Sequence, residues 1–316
     1  MASHIVELAQ IAAKVETTEG TDVTPASADA AIWVSNVQFT PTIDSFARTT
    51  RSPYFSQVAQ VAGKRMGELT FEVDYYGQTT TVPGFGVLMQ GCGQVGATVS
   101  STGYKFTPSS TTSNHKSLTI SFYEGGRLKK LIGARGTFTL GAQTGSTNRL
   151  SFRFMGALVT PADASLLALP TMDTNSKLPP AFMGAALSFG GLSAAEALVS
   201  SYTLDAGQTL TMRTDANSSS GYRSCAITAR RPTLTLNIEM PTVTEFDLHS
   251  AVTGNTLAAF TFTAGSSTAA VKVDAPKLQI VGYTEESNAN GLLYSTLTCV
   301  PAIDAGDDEW TITGGV

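Results

Sequence analysis

The chain is poor in charge, histidine and cysteine, and it contains no long apolar run. Charged residues make up 14 % of its 316 residues, against roughly 25 % in an average soluble protein. The net charge is −5, and basic neighbours occur only as isolated pairs such as Lys129-Lys130 and Arg230-Arg231. Because a tight grip on nucleic acid needs many phosphate contacts, this composition excludes strong DNA or RNA binding.

The cysteine pattern excludes a disulfide framework. Cys92, Cys225 and Cys299 are odd in number, lie far apart and form no CxxC pair, so we predict reduced, buried thiols of a cytoplasmic protein. The first residues show no basic segment followed by an apolar core, and we expect no signal peptide. No apolar run reaches the length of a membrane helix, so we expect no membrane anchor.

Motifs for catalysis, metals and cofactors are also missing. The three histidines lie in different segments without partners at metal spacing, and no nucleophile elbow or phosphate-binding loop is complete. Glu68, Glu72 and Asp74 lie on one predicted strand, side by side rather than across a cleft, which is unsuited to a glycosidase carboxylate pair. We therefore predict a protein that is not an enzyme, with no cofactor and no metal.

What the chain does contain is an internal repeat. The same order of alternating strand, short helix, hairpin and alternating strand occurs twice, and such repetition indicates like units placed side by side. We predict a first domain over residues 1–168, a proline-containing linker over 169–184, and a second domain over 185–316. The matching segments are 68–74, 82–91, 118–124, 127–140 and 149–163 in the first copy, and 233–239, 242–253, 257–263, 270–281 and 291–304 in the second.

The period of the repeated segments predicts a mainly β fold. Leu69, Phe71 and Val73 alternate with polar residues, which is typical of antiparallel strands with one wet face. Each copy is predicted as a small β-sandwich or half-barrel with one short flanking α-helix. The remaining expectations are a helix over 3–16, an extended arm over 20–30, hairpins over 118–132 and 258–273, polar loops over 42–67 and 213–231, and an acidic tail over 303–316.

Three segments resemble a known family. Residues 13–22 and 31–41 resemble the opening, and residues 272–280 the closing repeat, of the tail tube (major tail) proteins of long, non-contractile-tailed bacteriophages. The resemblance implies tail-tube-type domains whose sheets join on oligomerisation into one continuous β-barrel, in stacked rings around a lumen that conducts the genome. Since related tubes place six units in each ring, a chain with two units predicts a trimer with pseudo-sixfold symmetry; a hexamer is the alternative.

The resemblance also implies partners and a location. The partners are further copies of the chain, the tape measure, tail terminator and distal tail proteins, and passing double-stranded DNA that is not bound specifically. The protein is expected in the virion tail, made and assembled in the host bacterial cytoplasm. The alternative function is a β-sandwich binding or adhesion module for glycan or protein, which would need clustered exposed aromatic residues; Trp33 and Trp310 are isolated in the sequence.

Two surfaces are predicted from this implied architecture. The lumen should not hold DNA, because phosphate contacts would stall it, and Arg149 and Arg153 are expected to pair across strands with Glu72 or Asp74. The alternative places these polar faces outside the tube. The N-terminal arm and the acidic tail are secondary stacking candidates. The lumen candidates are Glu68, Glu72, Asp74, Thr235 and Glu239; the ring-stacking candidates, from the two long loops, are Arg48, Arg51, Tyr54, Phe55, Arg213, Tyr222 and Arg223.

Overall fold

Strands account for most of the structure, and every strand pairing in it is antiparallel. The computed structural model describes residues 8–30, 32–77, 82–99, 103–168, 178–190, 198–265, 270–287 and 291–315. The prediction of a mainly β, sandwich-type fold with one short helix in each copy is confirmed.

The described residues of the first copy form eight strands and one α-helix. A short 3-10 helix, Ser27–Ala30, follows the first strand, and another, Thr112–Asn114, precedes the sixth. The elements are β1 (Ala9–Val15), β2 (Ser35–Phe46), β3 (Val61–Asp74), α1 (Gly86–Gly91), β4 (Gln94–Val99), β5 (Gly103–Pro108), β6 (Leu118–Glu124), β7 (Arg127–Gln143) and β8 (Arg149–Asp163).

The second copy repeats the main order without a described counterpart of β4 and β5, and it adds a terminal strand. Its helix begins after Asp247, whose side chain accepts a hydrogen bond from the Ser250 N–H as an N-cap. The elements are β9 (Ala186–Phe189), β10 (Val199–Asp205), β11 (Gln208–Thr214), β12 (Tyr222–Arg230), β13 (Thr233–Glu239), α2 (Leu248–Thr253), β14 (Leu257–Ala264), β15 (Val271–Ser287), β16 (Leu293–Ala302) and β17 (Thr311–Gly314).

The two copies share one strand order. In the first, the strands run β2-β3-β8-β7, with β6 and β1 continuing from β7; in the second they run β10-β13-β16-β15, with β14 and β9 continuing from β15. The helix follows the second strand of each series, in keeping with the predicted repeat. The copies therefore match in these strands and in the helix, and some matching positions carry the same residue, such as Leu69 with Leu234 and Thr70 with Thr235.

A short ladder joins the copies into a single sheet. Strand β10 of the second copy pairs with β7 of the first, with Ser201 opposite Gln143 and Asp205 opposite Thr139. On its other side β10 pairs with β13. The sheet consequently runs without interruption from β2 across both copies to β15.

The C-terminal strand forms a second connection. Strand β17 pairs on one edge with β15 of the second copy and on the other with β5 of the first. Trp310, just before β17, is fully buried, with the Arg230 guanidinium 5.6 Å from its ring. Asp307 accepts hydrogen bonds from Ser110, and both Asp307 and Glu309 pair with Arg230. The predicted acidic tail is thus part of the folded body rather than a free segment.

The core lies on the apolar side of this sheet and continues through both copies. In the first copy it is rich in stacked aromatic rings, with Phe71 5.6 Å from Phe152 and 6.0 Å from Phe154. The second copy places Leu236 and Ile238 on the corresponding side of β13. Phe182, within the predicted linker, is buried against Tyr202 and Phe262, whereas residues 169–177 of that linker lie outside the described part.

Several predicted elements differ from the structure. The apolar stretch assigned to an N-terminal helix forms β1 from Ala9 to Val15, because it pairs with β6 along its whole length. The loop over 42–67 is shorter than predicted, since β2 extends to Phe46 and β3 begins at Val61. The loop over 213–231 is mostly the strand β12 of a separate two-stranded hairpin with β11. The hairpin turn at Gly125-Gly126 is confirmed, both glycines having positive φ.

Candidate functional site: the polar face of the sheet and its two arms

The side of the sheet opposite the core is a continuous polar surface. Pairing registers place Arg149, Gly141, Thr203, Thr235 and Thr298 in one row across five strands and both copies. A second row, one step along, contains Gln143, Ser201, Asn237 and Thr296. Because side chains alternate along a strand, all of these residues lie on one face, which we call the polar face.

In the first copy the polar face carries charges that are neutralised in pairs. The Arg153 guanidinium pairs with Glu68 at 2.8 Å, through two hydrogen bonds. Arg149 pairs with both Glu72 (3.1 Å) and Asp74 (3.2 Å). The prediction of cross-strand pairs is confirmed for Arg149. Arg153 also forms a cross-strand pair, but with Glu68 rather than Glu72 or Asp74, because the Glu68 carboxylate is its diagonal neighbour on the adjacent strand.

In the second copy the same surface is almost free of charge. Thr235 stands at the position of Thr70, and Asn237 at that of Glu72. The Asn237 amide donates to the Thr296 hydroxyl at 3.1 Å, so hydrogen bonds between neutral groups replace the ion pairs. Glu239 is the carboxylate of the predicted set in this copy, and its backbone N–H donates to the Leu198 carbonyl.

The polar face is concave where the copies meet. An open groove of about 820 Å³ lies over the β7–β10 ladder. Its wall includes Glu72 and Arg149 from the first copy and Ser201 and Thr203 from the second. The structure thus brings Glu68, Glu72 and Asp74 together on one surface with Thr235 and Glu239, as the predicted set requires.

At one end of the polar face lie two long hairpin extensions. We define the first arm as residues 43–65, comprising the outer ends of β2 and β3 and the loop between them. The second arm comprises residues 208–230, which are β11, β12 and their turn. Both begin where a hairpin leaves the shared sheet, and their registers correspond: Phe39 faces Leu69 and Leu204 faces Leu234, so both positions differ by 165 (204 minus 39, and 234 minus 69).

The second arm lies against the first copy. Its β12 contacts β7, β8 and β3, and its turn reaches the base of the first arm, where the Arg65 N–H donates to the Ser220 carbonyl at 2.9 Å. Lys64 lies 5.1 Å from the centre of the Tyr222 ring. The arm leaves the sheet at Gly207, which has φ +60° and no room for a Cβ beside the Arg231 carbonyl. A glycine is therefore required at this crossing.

Glu19 holds the second arm in place electrostatically. Its carboxylate pairs with Arg135 of β7 at 2.6 Å and with Arg213 of the arm at 3.0 Å, and it accepts a hydrogen bond from Ser224. Burial alone would raise the pKa of Glu19, but hydrogen bonds from Arg135 and Ser224, together with the charge of Arg135, lower the pKa to about 2. The carboxylate is therefore ionised at any physiological pH.

The first arm, in contrast, projects from the body. Tyr54 and Phe55 at its tip are 75 % and 111 % exposed. Among the described residues, the loop 47–60 makes one hydrogen bond, from the Tyr54 N–H to the Ser52 hydroxyl within the loop itself. Phe46 lies across Gly63 of the opposite strand, which stiffens the base of the hairpin. Lys64 and Arg65 at its base contact the second arm, whereas the loop 47–60 forms no hydrogen bond to another part of the described chain.

The stacking candidates from the sequence therefore divide into two groups. Arg48, Arg51, Tyr54 and Phe55 lie on the exposed first arm. Arg213, Tyr222 and Arg223 lie on the docked second arm, where each already has a partner: Glu19, Lys64 and, at 3.6 Å, Asp215. The N-terminal segment is likewise engaged, since Asp22 pairs with Lys130 and Asp29 with Lys14.

Sequence reasoning missed the groups that fix the second arm. Glu19 and Arg135 belong to segments distant from the arm in sequence, and no motif connects them. Gln208 is a further example, donating from its side chain to the Cys92 carbonyl. The one available signal was the repeat itself, because Arg48 and Arg213 stand at equivalent positions of the two arms.

The described residues contain neither a cluster of metal ligands nor a membrane-spanning helix. No group of three or more His, Cys, Asp and Glu side chains there could hold a metal ion. No helix in this part of the chain is long and apolar enough to cross a membrane. The three cysteines are free and buried, as predicted, and burial raises the pKa of the Cys225 thiol to about 11.

Comparison with known proteins gives one clear result. A family model described as phage tail tube protein matches residues 7–299, which is nearly the whole chain. A search of curated proteins gives no match. The matched range includes both copies of the repeat, both arms and the polar face.

Proposed function

The chain belongs to the phage tail tube protein family and is a structural subunit of a tail tube; from this premise we propose how it builds the ring. Three chains associate head to tail, each contributing two tube units, so that six units surround the lumen. Rings of this kind stack into the tube, since heterologous contacts between the top of one ring and the bottom of the next do not close.

The observation that supports this proposal is the β7–β10 ladder inside the chain. Among the described sheet edges without a partner strand are the outer edge of β2 and the edge of β15 over 281–287 on the side opposite β16. These edges belong to the strands that correspond to β10 and β7. An unpaired strand edge can pair with a further strand. The β7–β10 ladder is an example, within the chain, of the pairing that we propose between chains.

The internal ladder also gives the expected register between chains. Asp205 faces Thr139 in the ladder, and the equivalent residues are Thr40 of β2 and Thr284 of β15. We therefore place β2 of one chain antiparallel to β15 of the next, with Thr40 opposite Thr284. Repeating this contact around the ring closes the sheet into a barrel with no edges.

The polar face is proposed to line the lumen. It is the surface that continues across the internal ladder, it is concave there, and its arginines Arg149 and Arg153 are paired with carboxylates, so that passing DNA meets few free cations. The lumen residues remain Glu68, Glu72, Asp74, Thr235 and Glu239. Double-stranded DNA would pass without specific binding.

The remaining partners follow from the family. The chain is a component of the virion tail; assembly in the host cytoplasm, with tape measure, tail terminator and distal tail proteins as neighbours, is part of the proposal. A structural family supports a role without catalysis. No finding favours the alternative of a glycan- or protein-binding module.

Two measurements test the ring. The first is negative-stain electron microscopy of the purified protein, beside its native mass: we expect hollow rings or tubes and a ring of three chains. A six-chain ring would contradict the two-unit arrangement.

The second is a disulfide test of the register, since directly opposed strand residues suit disulfide geometry. Thr40→Cys with Thr284→Cys should link chain to chain under oxidation. The matched control, Asp205→Cys with Thr139→Cys, should link within one chain. Thr42→Cys with Thr284→Cys, shifted by two residues, should link poorly; equal linkage by the shifted pair would contradict the register.

A further inference from the structure

We infer that the first arm is a clasp within the ring: it seats on the second copy of the neighbouring chain, in the pose that the second arm takes on the first copy. This inference rests on the proposed ring and names the partner of its most exposed element. It differs from the expectation that the arm acts chiefly between stacked rings.

The paired parts of the two arms correspond in register. Ile43 faces Arg65 and Phe46 faces Val61 in the first arm; Gln208 faces Arg230 and Thr211 faces Ala226 in the second. Each arm has a register shift at the same place. In the first arm it lies between residues 43 and 45, which are equivalent to 208 and 210, and in the second arm it lies between 209 and 210. A shared irregularity of this kind indicates one structural element used twice.

The second arm shows what the element does when a neighbouring unit is present. Its strand β12 lies against β7, β8 and β3 at the row formed by Arg135, Met155 and Glu68, and it covers the Arg135 end of that row, while the Glu68 side chain stays 32 % exposed. Arg135 is left only 11 % exposed and donates to the Cys225 carbonyl of the arm. Cys225 and Ser224 become fully buried. An arm of this type therefore lies across the sheet of the unit beside it.

The second copy has the equivalent row, and among the described residues no arm of its own chain lies over it. Gln279 pairs with Val300 in the second copy, as Arg135 pairs with Met155 in the first. Thr233 is the next residue of this row and is equivalent to Glu68. Leu257, opposite Gln279, is 51 % exposed. Thr233 is exposed, and Gln279 and Val300 are half-buried. This acceptor row is thus partly apolar and open to solvent.

The ring brings the two open surfaces together. If β2 pairs with β15 of the next chain, as β10 pairs with β7, then the first arm continues from β2 over that chain's second copy. The part of the arm at Ala59 and Gln60, equivalent to Ser224 and Cys225, would then cover the acceptor row. The aromatic tip would reach the base of the neighbour's second arm, as Ser220 reaches Arg65 within the chain. Both contacts remove apolar surface from water. Arg48 would lie at the place that Arg213 takes beside Glu19.

A photo-cross-linking experiment tests the partner directly. Phe55 is replaced by benzoylphenylalanine in the full chain, and single rings are isolated from a mixture of isotope-labelled and unlabelled chains. We expect cross-links to peptides around Arg230, the equivalent of Arg65 that Ser220 contacts within the chain, joining labelled to unlabelled chains. The matched control places the same probe at Tyr222, which should cross-link to the region of Lys64 within one chain.

The outcomes separate the clasp from the ring. Cross-links that form in stacked tubes but not in single rings, or that remain within one chain, would overturn the clasp and leave the ring intact. Failure of the unmodified protein to form rings would overturn both.

A surface variant gives a second reading. Leu257→Asp should reduce the fraction of protein in rings at least several-fold, whereas Val243→Asp, exposed in the same copy but outside the row, should not. Equal ring fractions for the two variants would count against the acceptor row.

Discussion

The two arms differ less in structure than in what lies beside them. The second arm leaves the sheet at Gly207, crosses the first copy and is fixed there by Glu19. The first arm has the same register and the same bulge, yet it projects into solvent with Tyr54 and Phe55 exposed. A duplicated chain therefore contains both the bound and the unbound form of one contact. The bound form shows where the unbound one is expected to bind.

The polar face shows a second difference between the copies. The first copy uses paired charges, Arg149 with Glu72 and Asp74 and Arg153 with Glu68, whereas the second uses threonine and asparagine at the same row positions. Both solutions leave little unpaired charge. In a three-chain ring, paired and neutral sectors would alternate around the lumen.

The largest expected effect comes from the core positions that correspond in the two copies. Phe71→Ala should lower the free energy of unfolding by about 3–5 kcal/mol and Leu236→Ala by about 2–5 kcal/mol. Because one sheet joins the copies, each variant should shift a single unfolding transition of the whole chain in denaturant. Thr70→Ala and Thr235→Ala, on the polar face, are the matched controls. Separate transitions for the two copies would show that the β7–β10 ladder does not couple them.

A proline at equivalent positions of β10 and β2 distinguishes an internal strand from an edge strand. Thr203 has partner strands on both sides, Gly141 of β7 and Thr235 of β13, whereas Gln38 has only Thr70 of β3. Thr203→Pro should lower the free energy of unfolding of the isolated chain by about 1–3 kcal/mol for each buried polar group left unpaired. Gln38→Pro should cost less there.

The order should reverse when ring formation is measured by native mass. Gln38→Pro should prevent rings, because it alters the strand that the next chain must pair with. Rings of normal mass from Gln38→Pro would argue against β2 as the joining edge.

The repeat and its strand faces could be predicted from sequence because period and order are local properties. The alternation of Leu69, Phe71 and Val73 with polar residues predicts the buried face of β3. The stretch that forms β1 could not be assigned, since its apolar residues fit a helix as well as a strand, and only β6 decides between them. The role of Glu19 was also out of reach, because its partners Arg135 and Arg213 meet it only after the copies have folded together.

Glu19→Gln tests the electrostatic part of the second arm's attachment. The pKa of Glu19 is lowered from 4.5 to about 2 in the folded chain, so the ionised carboxylate stabilises the fold fully above about pH 4.5. That contribution is lost as pH falls from about 4.5 toward 2. At pH 7 the free energy of unfolding of the variant should therefore be about 1–2 kcal/mol lower than that of the parent. This difference in free energy should become smaller below pH 4.5. A difference that stays constant with pH would assign the effect to packing.

The smallest effect on stability, and the most direct test of the lumen, comes from Glu72→Lys and Glu239→Lys. Glu72 belongs to an exposed ion pair, so its loss should cost at most about 1 kcal/mol. In the tube, each substitution adds a cation that recurs in every chain of every ring, and phosphate contacts repeated along the path should slow DNA passage. Tubes of normal length with reduced DNA delivery by the assembled phage are therefore expected.

Lysine substitutions in the two copies are expected to reduce DNA delivery to different extents. Lysine at position 72 stands beside Arg149 and creates a cluster of like charge, whereas lysine at 239 enters a neutral sector, so delivery should suffer more from Glu72→Lys. Ser151→Lys, on the same face in the same groove, should behave like Glu239→Lys if the face lines the lumen. Unchanged infectivity for all three would place the polar face on the outside of the tube, where added cations do not meet the DNA.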